Sequence, residues 1–89
     1  MTYEGPARRC GVSSEDIAAL LQGKTTAGIA TRLGVSQTAV RAFLDGELSP
    51  KLAQKAGFSA DTLLRLRNQI GREGAIGMLI GFMMVSEDA

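Results

Sequence analysis

The chain has 89 residues, of which 45% are hydrophobic, with one cysteine and no histidine, and ten basic against nine acidic residues leave a net charge of +1. That length supports one small domain of modest stability unless a partner subunit adds to it. The single cysteine excludes an intrachain disulfide, and the missing histidine removes the commonest general base, so neither catalysis nor a cofactor or metal is expected.

Residues 1–12 include Gly5, Pro6, Arg8, Arg9 and Gly11 without sustained periodicity and read as an irregular arm, either a disordered tail or an arm that follows DNA. No charged stretch followed by an apolar core opens the sequence, which predicts a bacterial-type cytoplasmic protein.

Residues 13–71 read as five short helices. The first begins at Ser13 or Ser14, with Glu15 and Asp16 at the positive end of its dipole, carries Ile17, Leu20 and Leu21 on one face, and stops at Gly23. Thr25 is the expected cap of the second, whose inward face is Ile29, Ala30 and Leu33 and whose end is Gly34. The third runs from about 37 to 45, capped by Ser36 and closed by Gly46. Ser49-Pro50 starts the fourth, ending at Gly57, because proline at the first helical position loses no needed amide. Ser59 starts the fifth, with Leu63, Leu66 and Ile70 at helical spacing and Gly71 as the stop. With no alternating pattern before residue 72, the expected fold class is all-α.

Between the second and third helices lies a tight corner. Ala30 is small where the two helices approach, Gly34 supplies a left-handed turn residue, and Val35 plugs the inside. At ~100° per residue Val40, Phe43 and Leu44 form the buried stripe of the third helix, which leaves Thr38, Arg41, Ala42 and Asp45 outward and Gln37 on the flank.

The run Ile29-Ala30-x-x-Leu33-Gly34-Val35-Ser36-Gln37-x-x-Val40-x-x-Phe43-Leu44-x-Gly46 resembles the helix-turn-helix of the lambda-repressor-like (Cro/C1-type) transcriptional regulators. One helix before the corner and two after it are similar to that family's five-helix domain, so the resemblance covers roughly residues 13–70. It implies that Gln37 and Thr38 contact base edges in the major groove, with Arg41 one turn on reading guanine or holding a phosphate. It also implies a backbone contact for Thr26, with Lys24, Arg32 and Lys51 nearby as phosphate ligands and Ser36 at the helix start as cap and backbone contact. Antitoxins of related fold carry a phrase like "SADTLLRL", so the resemblance leaves the biological role open.

Charge is unevenly spread. Residues 24–72 hold eight basic and three acidic residues, a net +5 in a chain whose total is +1. That concentration suits a polyanionic partner. Asp45, by contrast, repels phosphate and marks where the third helix leaves the groove.

Residues 72–89 are apolar on every side of a would-be helix, and the run over residues 75–85, eleven residues with two glycines, is short of the ~18–20 needed to cross a bilayer. Gly74, Gly77 and Gly81 make a smooth ridge, with Ile76, Leu79, Ile80 and Met83 beside it. The expectation is a dimerisation segment, as a helix or less readily as an intermolecular strand, with a terminal helix folded back on its own domain as the alternative. Two copies would set their recognition helices roughly 34 Å apart over an inverted-repeat operator. The functional expectation is a dimeric repressor of plasmid or phage type. The alternative is an antitoxin-like protein whose tail binds a different protein.

Overall fold

Hydroxyl caps begin most of the helices in the computed structural model, which describes residues 4–85. Among the described residues the chain is entirely helical: α1 (Glu4–Cys10), α2 (Ser14–Leu21), α3 (Ala27–Leu33), α4 (Gln37–Leu44), α5 (Pro50–Ala56) and α6 (Ala60–Val85). Ser13 and Asp16 form a reciprocal capping box at α2. The Ser36 hydroxyl accepts the Ala39 amide at 3.1 Å to start α4. Pro50 opens α5 as expected, but the Ser49 hydroxyl does not cap it. It donates instead to the Ala39 carbonyl at 2.8 Å and is buried.

Two local expectations are corrected. The cap of α3 is Thr26, one residue beyond Thr25, and its hydroxyl accepts the Ile29 amide at 3.2 Å. Residues 4–10 are a helix rather than an irregular arm, because Ala7 and Cys10 find burial against the rest of the chain. A seven-residue helix is marginal alone and is held by such tertiary burial.

Gly71 interrupts the helix of residues 60–70, as the sequence led one to expect, without ending the helical chain. It adopts φ 79° and ψ −177°, a conformation accessible to glycine, and helix resumes at once, so residues 60–70 and 72–85 are two arms of α6 meeting at a kink. The second arm buries Ala75, Ile76, Leu79 and Met83, spaced as one helical stripe. These join Ile17, Leu20, Ile29, Val40, Phe43, Leu52 and Leu63 in one continuous core, and α6 touches all five other helices. No helix among the described residues is long and apolar enough to cross a membrane.

The tail expectation changes accordingly. Ile76, Leu79 and Met83, nominated for dimerisation, are inside the chain's own core, at 7%, 0% and 0% exposure. Of the others, Gly77 is exposed while Ile80 and Gly81 are half-buried. The tail looked too apolar for one chain because α1, which helps to cover it, was not visible as a helix.

Candidate nucleic-acid interface

The α4 helix is fixed along its buried side and at both ends. Val40, Phe43 and Leu44 are almost fully buried. At its C-terminus the Arg67 guanidinium donates to the carbonyls of Phe43 and Leu44, at 3.1 and 2.5 Å. A cation there meets the carbonyls of the last turn and the negative end of the helix dipole. Arg72 completes the attachment through Asp45, the C-cap residue, at 2.9 Å.

The opposite side of this anchored helix is polar. Ser36, Gln37, Thr38, Arg41 and Asp45 are exposed, while Ala42 is half-buried. Residues 37, 38 and 41 are neighbours on a helical surface. Together they offer an amide that both donates and accepts, a hydroxyl, and a guanidinium fork, the groups suited to base edges. Ser36 uses its oxygen to accept a backbone amide and retains its proton to donate.

The nominated phosphate contacts divide. Lys24, in the loop between α2 and α3, and Lys51, at the start of α5, are exposed. Arg32 is not available. Its Nε donates to the Cys10 carbonyl at 2.5 Å and its Nη2 to the Met83 carbonyl at 2.6 Å, tying the C-terminal ends of α1 and α6 to α3. Thr26 is likewise committed, since its hydroxyl donates to Asp16 Oδ1 at 2.7 Å while capping α3. That bond holds the Asp16 carboxyl below the usual aspartate range, against some opposition from burial and with further help from Ser13.

Asp16 sits tightly against Gly28. A Cβ there would collide with Asp16 Oδ2. An open cavity of about 550 Å³ beside them is lined by Gly11, Val12, Ala27 and Thr31 with Asp16 and Arg32, whose charged groups are already satisfied internally. It offers a ligand little.

A second cleft, of about 390 Å³, adjoins the polar side of α4 and is lined by Gly23, Lys24, Thr25, Arg41, Asp45 and Arg72. Sequence reasoning named Lys24 as a phosphate contact and Arg41 as a base or phosphate contact, without placing the two on one cleft. It missed Arg67 and Ser49, because a guanidinium or hydroxyl that reaches a distant carbonyl leaves no periodic trace. Among the described residues no group of three or more His, Cys, Asp or Glu is placed to hold a metal ion. No protein-family model matches the chain, and no curated protein or solved structure matches it.

Proposed function

We propose that the chain is a sequence-specific DNA-binding regulator of the lambda-repressor-like kind, which inserts α4 into the major groove and represses by occupying its operator. The observation that carries this reading is the exposed strip of Gln37, Thr38 and Arg41 on a helix whose other side and C-terminus are anchored by the core, Arg67 and Arg72. Preorganised side chains on a rigid element are what base readout needs. The corner residues Ala30, Gly34 and Val35 support it too: Gly34 is left-handed at φ 78°, and the Val35 amide donates to the Ala30 carbonyl at 3.1 Å.

Lys24, Ser36 and Lys51 supply backbone contacts in this reading, and Gln37 suits a bidentate pair with adenine. Pairing of two copies over an inverted repeat belongs to the same proposal. With Ile76, Leu79 and Met83 inside each copy, the pairing surface is drawn from exposed apolar side chains such as Ile70 and Met84.

The test is selection from a pool of random duplexes with the full chain. An enriched motif that Gln37→Ala or Arg41→Ala relaxes at individual positions, by about 1–3 kcal/mol each, supports the reading. Failure to enrich any motif with correctly folded protein overturns it.

A further inference from the structure

The cleft beside α4 gathers charge from three parts of the fold: Lys24 from the loop between α2 and α3, Arg41 and Asp45 from α4, and Arg72 from the second arm of α6. Three cations face one carboxylate. Arg72 is held by its bond to Asp45 and passes close to Gly23, where an added Cβ would lie 3.3 Å from Nη1. A guanidinium has five N–H donors, and Asp45 engages only one nitrogen. Among the described residues the Lys24 and Arg41 side chains make no hydrogen bond or ion pair, and Thr25, which also lines the cleft, has a buried hydroxyl oxygen without a partner.

An unpaired buried hydroxyl is costly, and fixed cations around it select an anion with several oxygens. The salt-bridge carboxylate occupies one nitrogen of Arg72 and leaves the rest of the fork to such an anion. The other arginines near α4 and α3 behave differently: Arg67 and Arg32 each engage Nε and one terminal nitrogen with helix carbonyls.

We propose that this cleft binds a single phosphoryl oxyanion through Lys24, Arg72 and the Thr25 hydroxyl, in the field of Arg41. Resting on the DNA reading above, its source is one backbone phosphate of the duplex, because Arg41 belongs both to the cleft and to the strip with Gln37 and Thr38. The phosphate sets the register of α4 in the groove, and Arg72, which lies well outside the corner, becomes a DNA contact.

The experiment titrates inorganic phosphate into the full chain at constant ionic strength and follows amide and arginine Nε–H signals by NMR. Saturable shifts at residues 23–25 and at Arg72 are expected, weakened severalfold by Lys24→Gln and Arg72→Gln and largely kept by Arg72→Lys. Asp45→Asn tightens phosphate binding severalfold, whereas a merely structural ion pair predicts no gain. Absence of saturable shifts overturns the site. In the second arm, binding to a random-sequence duplex is measured against salt, and Arg72→Gln lowers the slope of log K on log salt by about one. A wild-type chain that binds duplex with a slope unchanged by Arg72→Gln overturns the DNA source and leaves the DNA reading standing. Saturation by phosphate without binding to any duplex overturns the DNA reading and assigns the cleft to a free phosphoryl ligand.

Discussion

The guanidinium of Arg32 donates to the backbone carbonyl of Met83, 51 positions further along the chain, at 2.6 Å, and to that of Cys10 on its other side. One side chain thereby joins the ends of α1 and α6 across α3. In the sequence it was a nearby candidate for a phosphate contact; in the structure two of its three nitrogens are engaged inside the protein.

Replacing Arg32 by leucine should therefore act on stability and leave DNA contacts alone. Loss of two charge-assisted bonds at helix ends lowers unfolding free energy by about 2–3 kcal/mol. Urea denaturation reads the loss, and duplex affinity at temperatures where the variant stays folded should equal that of the wild type.

The second arm of α6 belongs to the core, so Leu79→Ala, at a fully buried position, should cost about 2–5 kcal/mol. Truncation before Gly74 should unfold the chain, rather than release well-folded monomers. Circular dichroism with thermal melting distinguishes the two: a truncated chain with a cooperative melt near that of the full protein would contradict the packing described.

Gly28→Ala brings a methyl into the space of the Asp16 carboxylate, against Oδ2. The expected loss is about 1–3 kcal/mol, as for overpacking elsewhere. In an Asp16→Ala background the same substitution should cost much less, since the obstacle is gone, and a double-mutant cycle measures that coupling.

Asp16 also sets an acid sensitivity. Its folded pKa is lowered from 3.8, chiefly by the Thr26 hydroxyl. A carboxyl whose folded pKa is depressed contributes stability that is fully present above its unfolded value and disappears as pH falls through the folded one. Stability should thus drop below about pH 4 more steeply in the wild type than in Asp16→Asn or Thr26→Val. Melting curves across pH 2–6 check the difference.

Helices α2 to α5 were legible because each carries its own punctuation. Ser36 and Gly34 bound α4 and α3, Pro50 and Gly57 bound α5, and the stripe of Val40, Phe43 and Leu44 assigned the polar side of α4 correctly. Two adjacent threonines are equivalent as caps in sequence, and only the position of Asp16 selects Thr26. The α1 helix was illegible because Gly5 and Pro6 weaken its local propensity, while the burial of Ala7 and Cys10 that supports it is a long-range fact. The tail's apolar character was plain in the sequence, and its destination depended on that same unseen helix. On the exposed side of α4, residue types singled out Gln37, Thr38 and Arg41 as candidates, but not the arginines that hold or flank the helix from α6.

The chain closes across long separations, with the Cys10 thiol lying 3.9 Å from the Ile80 carbonyl, 70 positions away. Small helical proteins usually fold fast because their contacts are local, and rates fall as contacts become distant in sequence. This fold is therefore expected to form its α2–α5 corner early and to settle slowly, when α1 and the outer arm of α6 meet. Until then α4 has its local caps but lacks Arg72 at its far end, so the proposed reading surface is completed by the final docking step and not by the corner itself.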